Sequence, residues 1–286
     1  MQAGSSETPA PPEPAAGERH FIPCINEVST LGAPFERECA AYSAAGFKHV
    51  ELWFPKLANV GLTASQVAAT LRGAGLQPVV ACALDGYLAR SQGELAPHLP
   101  EAQKNFELAQ ALGIPSFIVY TFVGNQDPQD DYQLAAERLY QIAELASKHK
   151  VKVALEFCAG SRFIGSLATA LSVMRTAAHA DVGICLDTFH FFAGVSNTED
   201  LLMLRPGEIV HVHFHDAPGD IPRERMADPD RVPPGEGIFP LLAVTAALRR
   251  LGYSSNLSVE LFGAKYQNGE PEAVARNCYN AVLPYC

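Results

Sequence analysis

The sequence predicts an α/β fold of the (β/α)8, or TIM-barrel, class in a single domain. Three observations carry that expectation. Short apolar runs recur eight times along the chain, each separated from the next by a longer amphipathic stretch. No glycine-rich nucleotide fingerprint follows the first run, where Asn26-Glu27-Val28-Ser29 stands instead, and this disfavours an open doubly wound sheet. A chain of 286 residues with 48% hydrophobic content is long and apolar enough for one such barrel.

Taken in order, residues 1–18 (MQAGSSETPAPPEPAAGE) are rich in Pro and Ala and contain no Lys or Arg. Without a packing face or a basic, apolar targeting pattern, they read as a disordered leader ahead of a barrel domain at 19–286. The apolar runs are Phe21–Asn26, His49–Phe54, Pro78–Leu84, Ser116–Thr121, Lys152–Phe157, Val182–Asp187, Ile209–His215 and Asn256–Phe262. Between them, Ala135, Leu139, Ile142 and Ala146 repeat at helical spacing, as do Leu241, Val244, Leu248 and Leu251. Gly46, Gly75, Gly113 and Gly252 each follow a helical stretch and precede a strand, where helix C-terminal caps belong. The longest gap, between the last two runs, carries a Pro/Gly/Asp-rich insert at Ala217–Gly237, expected to be a loop on the C-terminal face of the barrel.

Composition excludes several classes of function. With 21 basic and 31 acidic residues the net charge is −10, the wrong sign for gripping a nucleic-acid backbone or an anionic membrane surface. No apolar run is long enough to span a membrane. Seven cysteines, an odd number with no CxxC spacing, fit buried reduced thiols of a cytoplasmic protein. The apolar stretch Phe189–Val195 is expected to be exposed and to suit a homo-oligomer.

The late strands end alike. The fifth ends in Glu156, the sixth in Asp187 followed by His190, the seventh in His211, His213, His215 and Asp216, and the eighth in Glu260. If Glu156, Asp187 and Glu260 point into the barrel, alternation sends Ala154, Cys185 and Ser258 inward too, while Leu155, Leu186, Val259 and Leu261 face the helices. Three unpaired carboxylates at one mouth would repel one another, and a divalent cation resolves the conflict. Three carboxylates and an imidazole form a hard donor set, suited to Mn2+ first and also to Co2+, Mg2+ or Zn2+. His211 reads as a hydrogen-bonded core histidine, and His215 as a rim residue able to meet solvent or substrate. His190 is expected just above the metal, in reach of substrate.

These residues, in this order, resemble the xylose isomerase-like TIM barrels, the sugar phosphate isomerases and epimerases, and within them the inosose isomerase branch. The segments that carry the likeness are Asn26–Leu31, Val153–Phe157, Val182–Phe191, Asp230–Gly237 and Val259–Phe262, over about residues 20–284. The resemblance implies metal ligands Glu156, Asp187, His213 and Glu260, with His213 selected by the motif His213-Phe214-His215-Asp216. It implies proton abstraction next to a carbonyl of a small keto-sugar or keto-polyol, through an enediolate, with Glu156 and Glu260 as the acid–base pair. Asn26, Glu51, Trp53 and Arg231 are expected to bind hydroxyls, although Glu51 reads equally as a rim salt bridge and Trp53 as an aromatic wall. The segment Cys158–Phe163 departs from the inosose isomerase pattern. A ketose 3-epimerase, a 3-dehydroshikimate dehydratase and a 3-keto-glycoside-cleaving enzyme share the same donor set. A non-catalytic sugar-binding barrel would not need both glutamates. The DNA-cleaving members of this barrel group carry more histidine, for example where Asp230-Arg231-Val232 stands here.

Overall fold

The computed structural model describes residues 20–89, 95–120 and 132–286. The 1–18 leader and Thr121 lie outside the described residues. Eight parallel strands close into a barrel in chain order: β1 (Ile22–Asn26), β2 (His49–Trp53), β3 (Gln77–Asp85), β4 (Ser116–Tyr120), β5 (Lys152–Glu156), β6 (Val182–Asp187), β7 (Ile209–His213) and β8 (Asn256–Val259). Closure comes from β1 lying parallel to β8, with Ile22 opposite Asn256. All eight predicted runs hold a strand. The last two end early, so His215 and Glu260 stand on the chain just past β7 and β8.

Strand alternation divides the apolar residues between two cores. Cys24, Val80, Cys82, Ile118, Ala154 and Cys185 fill the barrel interior. Leu155, Leu186, Val259 and Leu261 belong to the larger core between barrel and helices. Each leucine buried there contributes about 1.5–3 kcal/mol. The helix Tyr132–Ser147 buries Ala135, Leu139, Ile142 and Ala146, and the helix Leu241–Arg250 buries Leu241, Val244 and Leu248, the faces the spacing predicts. Gly46 caps the helix Phe35–Ala45 at φ 113°, a conformation only glycine adopts cheaply.

The insert after β7 is fixed by one carboxylate. Asp216 accepts backbone N–H bonds from Ala217 (2.9 Å) and Phe239 (2.8 Å) through Oδ1 and from Gly235 (3.2 Å) through Oδ2. Asp216 also bridges to Val232 through its backbone. Gly237 is required in this loop, because a Cβ there would sit 2.1 Å from the Ala217 carbonyl oxygen. The anchored loop carries Arg231 back over the barrel mouth.

The run Phe189–Val195 differs from expectation. It opens with a short helix, Thr188–Ala193, that turns Phe189 and Phe191 inward, where both are buried; Val195 is exposed. Burying two phenylalanines removes most of the apolar face expected there. Among the described residues, no helix is long and apolar enough to cross a membrane.

Candidate active site

Four donors from four consecutive strands converge at the C-terminal mouth. Ligating atoms of Glu156, Asp187, His213 and Glu260 all lie within 4.8 Å of one another. His213 Nδ1 is the hub, 2.9 Å from Glu156 Oε1, 3.3 Å from Glu260 Oε2 and 3.4 Å from Asp187 Oδ2. Burial alone would lower the His213 pKa, but Cys185 and the carboxylates of Glu260, Glu51 and Glu156 outweigh it and hold it well above the usual range. Burial pushes the Glu260 carboxyl up to about 8, against the pull of His213 and Arg231. The His213 shift reports the negative charge packed around its ring, and the Glu260 shift the cost of burying a carboxylate there. The donor set is hard, convergent and over-negative, which fits a divalent cation.

The four differ in access. Asp187 and His213 are fully buried, whereas Glu156 and Glu260 keep 6% and 4% of their surface. Asp187 Oδ1 caps the helix that follows, accepting from His190 N at 2.9 Å, and also faces His215 Nε2 at 3.1 Å. Its own burial would raise its pKa, but Arg231, His215 and His190 hold it well below the usual carboxylate range. Glu260 Oε1 accepts from Asn26 Nδ2 at 2.8 Å, and its Oε2 accepts from Arg231. Glu156 has one such partner, His213, and its Oε2 has none among the described residues.

The remaining predicted residues fall into place around this core, several of them not where the sequence suggested. Asn26 reaches the cluster, but with both polar atoms committed: Nδ2 to Glu260 and Oδ1 to Val28 N at 2.9 Å. It positions Glu260. Glu51 is not at the rim. It lies fully buried on the far side of His213, accepting from His213 Nε2 (3.0 Å), His211 Nε2 (3.0 Å) and Ser258 Oγ (2.9 Å). Burial would raise the Glu51 pKa, but the two histidines overcome this and hold it far below the usual range. His215 is not a rim residue either. Its ring is buried against Asp187, burial lowers its pKa to about 4, and its Nδ1 has no partner among the described residues. His211 is the core histidine expected.

Arg231 is the largest fully buried side chain among the described residues and acts as a clasp. One terminal nitrogen reaches Asp187 Oδ2 (3.0 Å) and Glu260, and the other reaches Asp228 (2.6 Å) and His190 Nε2 (3.1 Å). The guanidinium lies over the Phe189 and Phe262 rings, at 5.0 and 4.8 Å. Trp53 is half-buried and packs on the inner barrel layer, the aromatic-wall placement. Sequence reasoning missed Asp228, Phe189 and Phe262 as the seat of Arg231; only the position of Asp228 three residues before Arg231 hinted at it.

A closed parallel barrel with a three-carboxylate, one-imidazole centre at its C-terminal mouth defines the class. The chain belongs to the xylose isomerase-like TIM barrel family, whose profile it matches over residues 39–278. Among curated relatives it is similar to the inosose isomerase of Bacillus velezensis, 25% identical over 250 residues, covering 85% of this chain and 89% of that one. It is also similar to the inosose isomerase of Bacillus subtilis, 30% identical over 171 residues, covering 59% of this chain and 61% of that one. A solved structure described as the IOLI protein with a binding zinc atom superposes with a TM-score of 0.86 at 25% identity, covering 92% of this chain and 97% of that one.

Proposed function

We propose that the protein is a divalent-metal-dependent isomerase of a small keto-polyol, an inosose or related keto-sugar, acting by proton abstraction next to the carbonyl. The observation that carries this reading is the division within the donor cluster. Two glutamates from strands β5 and β8 retain accessible surface, while Asp187 and His213 are sealed. The inosose isomerase relatives supply the substrate class. The zinc in the similar solved structure supports a metal in this cradle, with Mn2+, Co2+, Mg2+ and Zn2+ all matching the donors.

Glu156, Asp187, His213 and Glu260 would hold a divalent cation, which would supply Lewis acidity to a bound carbonyl and its neighbouring hydroxyl. Glu156, with one oxygen uncommitted, takes that proton. Glu260, braced by Asn26 and Arg231, faces the same point from another strand and serves the second proton transfer. Asp187 and His213 hold the geometry. Trp53 walls the sugar ring, and His190, with its ring between Ala159 N and Arg231, helps seat Arg231. Seven free buried cysteines support a cytoplasmic setting.

The test is Glu156→Gln together with chelation. Turnover of an inosose is expected to fall by several orders of magnitude in the variant, because the carboxylate both ligates and moves the proton. Dialysis against a chelator is expected to abolish wild-type turnover, and Mn2+ or Co2+ to restore it. Near-normal turnover in Glu156→Gln, or in chelated protein, would contradict the proposal.

A further inference from the structure

The opposite end of the barrel holds a second cavity, of about 540 Å³. It is built from strand starts: His49 of β2, Gln77 of β3, Ser116 of β4, Lys152 of β5 and Asn256 of β8, with Arg205 on the loop before β7. In this fold the N-terminal face ordinarily serves stability, and catalytic loops gather at the other end. A volume of this order is that of a small-molecule pocket rather than a packing defect.

Its charge runs against the rest of the molecule. The chain carries −10 overall, and the C-terminal mouth gathers Glu156, Asp187 and Glu260. The N-terminal cavity is lined by Lys152 and Arg205 and by no Asp or Glu. Neither cation forms an ion pair among the described residues. Glu208, three residues from Arg205 and just outside the lining, is held by two nitrogens of Arg175 at 2.8 Å and also accepts from the Arg205 backbone N–H at 2.8 Å, which leaves it an acidic neighbour of Arg205. His211 lies on the floor of the cavity, 2% exposed, with its Nε2 donating to Glu51. Neutral donors complete the lining, including the Gln77 amide and the Ser254 hydroxyl.

Two cations, neutral donors and no acidic side chain in the lining of a cavity of sugar size suit an oxyanion. We propose that the N-terminal mouth binds a small molecule bearing a phosphate or similar oxyanion, either free or carried on a polyol. This site lies at the far end of the barrel from the metal cradle and is independent of the reaction proposed there.

The experiment is calorimetric titration of the full-length, metal-loaded protein with sulfate and, separately, with glucose 6-phosphate. Saturable binding of at least one probe is expected, weakened about tenfold or more by combining Lys152→Met with Arg205→Met. Both side chains are exposed, so the double variant is expected to fold, which circular dichroism checks, and to keep its turnover. Tighter binding of glucose 6-phosphate than of sulfate identifies a polyol-borne anion; equal binding identifies the free oxyanion. Absence of saturable binding for both probes, or unchanged affinity in the folded double variant, would overturn the proposal.

Discussion

His213 shows how one side chain is fixed from both ends. Its Nδ1 meets three carboxylates, and its Nε2 is held by Glu51 at 3.0 Å, so the ring can neither rotate nor tilt without breaking a charged contact. Carboxylates placed in this way behind a metal-binding imidazole typically contribute 10–100-fold in metal affinity. Glu51→Gln preserves shape but removes the charge, and is expected to weaken Mn2+ binding by about that factor with the fold intact. Direct Mn2+ titration checks it, and unchanged affinity would show that Glu51 is structural only. The sequence hid this role for a geometric reason. Alternation along a strand reveals which face a residue takes but not its height along the barrel. Strand tilt and stagger set that height, and they bring the middle of β2 beneath the end of β7. The same missing coordinate misplaced His215. Glu156 and Asp187 were legible because each is the last residue of its strand and stands at or beside the end of an apolar run.

At the scale of elements, the turn from β1 into the short helical segment Glu27–Thr30 holds a buried ionic group outside the metal cradle. Lys56 Nζ lies 2.6 Å from Glu38 and 3.6 Å from Glu27, and Thr30 donates to Glu38 at 2.7 Å. Glu27 Oε2 accepts from Trp53 N at 2.8 Å, which ties the turn to the end of β2. Oε1 of Glu27 and Oε1 of Glu38 have no hydrogen-bond partner among the described residues, and a proton shared between the two carboxyls would satisfy both. Burial is the main cause raising both above the ordinary value of 4.5. A raised folded-state pKa means that the native protein keeps a proton the unfolded chain has lost. That contribution is complete below pH 4.5 and drains away as pH rises through the raised value. In Glu38→Gln the amide N–H replaces the shared proton, and a single carboxylate balances Lys56. The fall in stability as pH rises above 4.5, measured by urea denaturation, is expected to be shallower than in wild type. An unchanged slope would contradict the shared proton. This group was not legible because Glu27, Glu38 and Lys56 share no motif or spacing; only the fold brings them together.

For the whole molecule, the barrel has two unlike mouths. The C-terminal mouth concentrates carboxylates around His213, and the N-terminal mouth is lined by cations. The formal charge of −10 therefore conceals a polar arrangement along the barrel axis. The eightfold alternation of apolar runs was readable because each inward-facing strand must be apolar on both faces of the barrel wall. The N-terminal cavity was not, since Lys152 and His49 start different strands, Arg205 lies on the loop before β7, and the three share no motif. The central claim is that the acidic mouth removes a proton next to a carbonyl with Glu156. It is tested most directly by incubating Mn2+-loaded protein with an inosose in D2O and following exchange by NMR. Deuterium is expected to enter at the carbon beside the carbonyl, and to be lost both in Glu156→Gln and on chelation. Exchange that persists at the wild-type rate in Glu156→Gln, or a wild-type protein that turns the inosose over without any deuterium entering, would contradict it.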